Sequence, residues 1–306
     1  MADQFNQSIN LKDGRSLGFA EVGDPQGRPV FHFHGWPGSR LDAALFQLAG
    51  DLAARGVRLI GIDRPGMGLS DFQPGRRIQD WPDDVIQLAD VLGIERFAVQ
   101  GWSGGGPYVA ACAYKIPGRV TAAGFTAGIG PPDVGQHKIM SGLRYIFPLA
   151  QRAPWLLPAW TWLLWGRAGK DQAQMEAALG QIQDKIAERD RELYAQVEPR
   201  RRVAASMVEG FRQGTRGMAH DAMLFGRPWG FRLEHILHPR VFVWHGEQDT
   251  NVPPSFGRVF ANKIPNCTAT FFPEDGHLSI IVDHGLKIFA TLAGEVMADQ
   301  PQKRET

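Results

Sequence analysis

Along the first part of the chain, short apolar runs alternate with stretches whose apolar residues recur at helical spacing. Residues 8–12 and 16–21 are two short alternating runs on either side of Asp13-Gly14, the signature of a hairpin. Apolar runs at residues 29–33, 57–62, 97–99 and 120–126 read as buried strands. Between them, residues 41–55, 81–92 (through Val85, Ile86, Leu88 and Leu92) and 108–114 read as helices. Strands alternating with helices predict parallel βαβ units in an open, doubly wound sheet, an α/β fold. Ligands of such sheets bind beyond the carboxyl ends of the strands.

The rhythm then breaks. From residue 131 to about 214 no strand pattern occurs and the pattern is helical throughout. Residues 171–191 form a polar, Ala- and Glu-rich helix, whereas residues 145–165 are apolar and aromatic, with Trp155, Trp160, Trp162 and Trp165 punctuated by Pro154 and Pro158. The apolar part, residues 154–166, is 13 residues long and contains a proline, short of the roughly 20 residues a membrane-spanning helix needs. A helical cap over a sheet accounts for it better. Its tryptophans either line an acyl- or ring-accepting pocket or pack the cap on the core. Alternation resumes with a helix at 215–225, strands at 240–244 and 268–272, and a closing helix at 286–297. Residues 298–306 are a polar tail expected to fray. The expected organisation is a core in two parts, 1–130 and 215–306, with a helical cap, 131–214, inserted after the sixth strand.

Composition narrows the class. The 306 residues are 43% hydrophobic and 21% charged, enough apolar material for a sizeable core. Thirty-three basic against 32 acidic side chains leave a net charge of +1, which points to neither nucleic acid nor an anionic membrane. The two cysteines, Cys112 and Cys267, lie in apolar surroundings and are expected as buried free thiols. The N-terminal residues show no basic start and no apolar stretch, so a cytosolic protein is expected. No pattern sets an oligomeric state.

The chemistry sits at the ends of the expected strands. Gly101-Trp102-Ser103-Gly104-Gly105 fits Gly-x-Ser-x-Gly between a strand and a helix, the context of a nucleophile elbow. Its glycines let strand and helix pass closely around a strained serine. The plain alternative is a Gly-rich turn carrying an incidental serine. A second strand delivers His34-Gly35-Trp36-Pro37-Gly38 into a loop, where the Trp36 backbone N–H can join that of Gly104 in an oxyanion hole. The His34 side chain reads as satisfied by local hydrogen bonds, and Ser70 as a hydroxyl bonding its own loop, Asp63 to Asp71. A serine needs a base, and the base an orienting carboxylate. Asp249 follows a late strand, and His277 follows the last strand in the Asp275-Gly276 turn. The order Ser103, Asp249, His277 is the one described for α/β-hydrolases; its intervals are 146 residues (249 minus 103) and 28 (277 minus 249). His32, His235, His238 and His284 lack this context. Asp133 is the rival acid, and Glu247 and Asp275 read as solvated loop charges.

These segments, with Asp63-Arg64-Pro65-Gly66-Met67-Gly68-Leu69-Ser70, Gly246-Glu247-Gln248-Asp249-Thr250-Asn251-Val252-Pro253 and Gly276-His277, resemble the α/β-hydrolase superfamily, and within it bacterial serine hydrolases and esterases with a helical cap. The resemblance covers nearly the whole core. It implies an eight-stranded, mostly parallel sheet, no metal and no cofactor. Epoxide hydrolases and haloalkane dehalogenases of this superfamily carry an aspartate at the elbow where this chain has Ser103. Proline iminopeptidases usually show His-Gly-Gly-Pro-Gly, where this chain has Trp36 in third place. Haloperoxidase-type esterases often carry His-Gly-Trp-Pro. The expected function is therefore a serine carboxylesterase acting on a small, largely apolar molecule. Lactone, thioester, carbon–carbon or N-terminal proline peptide hydrolysis would use the same machinery. A ligand receptor on a hydrolase scaffold is the alternative from another class.

Overall fold

The computed structural model describes residues 4–132, 145–166, 169, 171–181 and 186–294. The expected alternation is present. In chain order the strands are β1 (Gln7–Asn10), β2 (Ser16–Gly23), β3 (Arg28–Phe33), β4 (Val57–Ile62), β5 (Phe97–Trp102), β6 (Val120–Thr126), β7 (Val241–Gly246) and β8 (Cys267–Phe272). The helices are α1 (Asp42–Leu45), α2 (Trp81–Val91), α3 (Gly106–Lys115), α4 (Ile146–Arg152), α5 (Leu157–Trp165), α6 (Gln172–Gly180), α7 (Glu188–Ala195), α8 (Val197–Gly210), α9 (Arg216–Phe225), α10 (Pro254–Lys263) and α11 (Ser279–Ala293).

One eight-stranded sheet runs in the order β1-β2-β4-β3-β5-β6-β7-β8. β1 pairs with β2, and β2 with β4, antiparallel; every other pair is parallel. The burial pattern explains why the central strands were readable. Every residue of β5 is buried, as a parallel strand covered on both faces requires. The edge strand β1 alternates half-buried and exposed residues. Helices α3 and α11 both pack on β5 and β6, and aromatic pairs such as Phe31–Phe97 and Phe125–Phe260 stack at 4.5 and 4.4 Å within the core.

Three helical expectations need correction. Residues 41–55 hold only α1 and single helical turns at Phe46–Leu48 and Ala53–Arg55, with Gly50 between the turns at φ 137, outside helical geometry. Residues 171–191 are not one helix: α6 ends at Gly180 and α7 begins at Glu188. The closing helix starts at Ser279 rather than near 286. Residues 133–144 and the tail from 295 lie outside the described residues. Cys112 is buried and Cys267 only partly so, both free thiols. None of the described helices is long and apolar enough to cross a membrane.

Between β6 and β7 the described residues form helices α4 to α9. Helix α9 is held to the loops after β3 and β4 and to α3 by buried charge. Asp221 on α9 accepts hydrogen bonds from Arg64 Nε at 2.7 Å, from Tyr108 Oη at 2.5 Å and from Arg76 Nη2. Arg64 in turn donates to the carbonyls of His34, and of Gly35 at 2.9 Å. Burial opposes the charge on Asp221, but Arg64 and Arg76 outweigh it and hold its carboxyl far below the usual range. Removing one partner of a buried ion pair strands the others without compensation. Asp221→Ala is therefore expected to lower unfolding stability by about 3–5 kcal/mol, measured by denaturant titration with an unchanged m-value.

Candidate active site

β5 ends at Trp102 and the chain turns through Ser103–Gly105 directly into α3. Ser103 has φ 55, a left-handed angle that a non-glycine residue adopts only when its surroundings impose it. The imposing contact is steric. A Cβ on Gly105 would lie 2.2 Å from the Phe33 carbonyl oxygen of β3. Only glycine lets the turn pass this close to the neighbouring strand, and the serine is left at the apex, buried to 7% exposure.

The loop after β3 meets this turn. A Cβ on Gly104 would sit 2.7 Å from Trp36 Cβ and 3.3 Å from Trp36 N, so the two backbones touch. Asp42 holds the loop by accepting from the Gly35 N–H at 2.8 Å, and Arg64 holds its two carbonyls from the other side. The Trp36 indole donates to the Met218 carbonyl at 2.9 Å.

His277 follows β8, and its Nδ1 lies 2.7 Å from Asp249 Oδ2. The other oxygen of Asp249 accepts from the N–H groups of Asn251 and Val252 at 2.8 and 2.9 Å, and His245 Nε2 lies 3.5 Å from Oδ2. Burial favours protonation of Asp249, but the neighbouring His277 and His245 outweigh it and bring its pKa down to about 2. Burial also opposes a charged His277, yet Asp249 reverses the balance and lifts its pKa above the ordinary 6.5, with Asp190 and Asp42 adding to the effect. Trp102, between Gly101 and Ser103, lies against the imidazole at 5.1 Å between ring centroids and donates from its indole to the His277 carbonyl at 3.1 Å.

Ser103, His277, Trp36 and Trp102 line one cavity of about 110 Å³. Its opposite wall comes from the segment between β6 and β7, with Trp165, Leu179, Tyr194 and Met207. The lining is mostly apolar. Of the four clustered tryptophans, Trp165 reaches the cavity, whereas Trp155 and Trp162 are exposed and Trp160 packs on the core.

The structure thus brings Ser103, Asp249, His277, Trp36 and Gly104 into one place. His34 is buried and bonded locally, to Gly35 O at 2.8 Å and from the Arg64 N–H at 3.1 Å; burial and then Arg64 press its pKa well below 6.5. Ser70 donates to Asp63 O at 2.7 Å and accepts from the Gly18 N–H, a loop hydroxyl as expected. Glu247 pairs with Arg258 in an exposed bridge. Asp275 corrects expectation: it is buried against His284 at 2.9 Å, because its turn packs beneath α11 rather than facing water. Asp133 lies outside the described residues. Sequence reasoning missed Asp190, whose carboxylate meets the His277 loop, and the role of Trp102 beside the imidazole. Among the described residues no group of three or more His, Cys, Asp or Glu side chains is placed to share a metal ion.

Known proteins are similar to this chain in sequence and in shape. The chain is 33% identical to a non-heme chloroperoxidase of Streptomyces lividans over 142 residues, 44% of this chain and 49% of that protein. It is 29% identical to a bifunctional esterase/perhydrolase of Acinetobacter calcoaceticus over 128 residues, 40% of this chain and 45% of that protein. The chain thus spans about half the length of these curated relatives. An esterase structure from Rhodococcus sp. ECU1013 superposes with a TM-score of 0.67 at 22% identity, covering 96% of this chain and 100% of that one. The sequence profile of the alpha/beta hydrolase fold matches residues 28–284, and the chain belongs to that family.

Proposed function

We propose that this protein is a serine hydrolase that cleaves a carboxylic ester of a small, largely apolar molecule through an acyl-enzyme. The observation that carries the reading is the 2.7 Å bond from His277 Nδ1 to Asp249, set at a cavity that Ser103 also lines. With Nδ1–H donated to the carboxylate, Nε2 is the free basic nitrogen. Ser103 Oγ attacks the carbonyl carbon, and Nε2 takes its proton and returns it to the leaving alkoxide. Water then repeats the sequence on the acyl-enzyme. Asp249 fixes the tautomer and stabilises the imidazolium. The N–H groups of Trp36 and Gly104 receive the developing oxyanion, where one donor is worth about 100- to 1,000-fold in turnover. No metal or cofactor takes part in these steps.

Residues 131–214 act in this reading as a helical cap between the two parts of the core, 1–130 and 215–306. Its side chains close the acyl site. A cavity near 110 Å³ compares with one of about 150 Å³ that accepts benzene, so the acyl group is compact. The names of the curated relatives favour a second use of the same acyl-enzyme, its capture by hydrogen peroxide to give a peracid.

Three outcomes test the reading. Across p-nitrophenyl esters, kcat/KM is expected to fall at least about tenfold between butyrate and decanoate as the chain outgrows the cavity; a rise with length contradicts it. Ser103→Ala should remove turnover, and Asp249→Asn should cut kcat by about 10,000-fold, as loss of the correct tautomer does elsewhere; an active Asp249→Asn with an inactive Asp133→Asn would move the acid. The base works only when neutral, and its pKa is raised. The pH profile of kcat/KM should therefore level off at high pH and fall on the acid side with a midpoint above 6.5.

A further inference from the structure

We infer that Asp190, on α7 of the inserted helical segment, is a positioning residue for His277, fixing the loop that carries the imidazole. The inference rests on the reading of His277 as general base given above. Asp190 is 3% exposed. Its Oδ2 accepts from the His277 backbone N–H at 2.6 Å, and its Oδ1 accepts from those of Ser279 at 2.8 Å and Leu278 at 3.2 Å. Three consecutive N–H groups at the start of α11 thus converge on one carboxylate.

The need for it is local. The first N–H groups of a helix have no partner within the helix, and usually the residue before the helix supplies an acceptor. Here that residue is Leu278, which has none to offer. Asp190, 87 positions before His277, takes up the N–H groups at the entry to the helix, those of His277, Leu278 and the first helical residue Ser279. Gly276 makes room for it: a Cβ there would lie 2.3 Å from Asp190 Oδ2. The residue before Asp190 reinforces the docking, since Arg189 forms a two-bond pair with Asp283 of α11 at 2.7 and 2.8 Å.

The placement links two jobs. Tyr194 stands four residues after Asp190, on the same face of α7, and lines the cavity. The helix that forms part of the substrate wall therefore also holds the base. The acidic groups facing His277 are Asp249 from the loop after β7, Asp190 from α7 and Asp42 from α1, with the Trp102 ring of β5 at its side. Tyr194 stays protonated, pushed up first by burial and then by Asp190 and Asp249. His245 lies behind Asp249. Neutralising Asp190 removes one of three carboxylates that favour the imidazolium.

The test compares wild type with Asp190→Asn and Gly276→Ala, using steady-state kinetics on a short p-nitrophenyl ester and an NMR titration of the His277 ring in the full chain. Asp190→Asn should lower kcat by about 10- to 100-fold, the effect of a displaced catalytic group, and leave KM within about twofold. It should also move the acid midpoint of kcat/KM, and the His277 titration, to lower pH. Gly276→Ala keeps the carboxylate but displaces it, and should lower kcat in the same way. This variant decides the matter if Asp190→Asn does not fold. A folded Asp190→Asn with wild-type kcat and an unmoved His277 titration overturns the assignment, as does a variant that loses only thermal stability. Should wild type hydrolyse no ester, the carboxylesterase reading fails by itself. The His277 titration needs no turnover and still decides the role of Asp190.

Discussion

Burying a carboxylate in an apolar interior costs several kcal/mol unless donors surround it, and three buried carboxylates set the geometry of this site. Asp249 faces the imidazole of His277 and two backbone N–H groups. Asp190 gathers the N–H groups of the loop that carries that imidazole. Asp221 gathers Arg64, Arg76 and Tyr108, and through Arg64 it governs the carbonyls of the loop leading to Trp36. Asp190 and Asp221 are satisfied by partners far away in the sequence, and Asp249 by His277 together with two N–H groups of its own loop. None of the three is fully satisfied unless the elements that face each other in the site are in place.

Two of these carboxylates, Asp190 and Asp221, stand on helices between β6 and β7. That segment also supplies the apolar wall opposite Ser103. In the proposed chemistry, the part of the chain that selects the acyl group also orders the base through Asp190, and the helix that follows it orders the oxyanion loop through Asp221. Selection and reactivity are then two consequences of one docking event, which is how binding energy from unreactive parts of a substrate comes to serve the chemical step.

The sheet was legible because central parallel strands are continuous apolar runs: β4 and β6 lie at the very residues, 57–62 and 120–126, that the pattern marks. The candidate site was legible in so far as it is built from strand ends and backbone shape. Ser103, Asp249, His277, Trp36 and Gly104 each sit in a turn whose glycines and order along the chain are visible in one dimension. Asp190 was not legible. On a polar helix it looks like any solvated charge, and its partners are backbone N–H groups that leave no mark in a sequence. The same gap explains why the start of α11 was placed late. The residue before it, Leu278, carries no capping side chain, so the usual signal before a helix is missing. Residues 41–55 misled in the opposite way, since apolar spacing survives in a chain that turns at Gly50.

The central claim is that Ser103 is an activated nucleophile in an assembled site. Reaction of the intact protein with a fluorophosphonate, followed by mass analysis of the whole chain and its peptides, tests it most directly. The account predicts a single adduct on the peptide containing Ser103, absent in Ser103→Ala and strongly slowed in His277→Ala. An unlabelled protein, or an adduct on another residue, would contradict it.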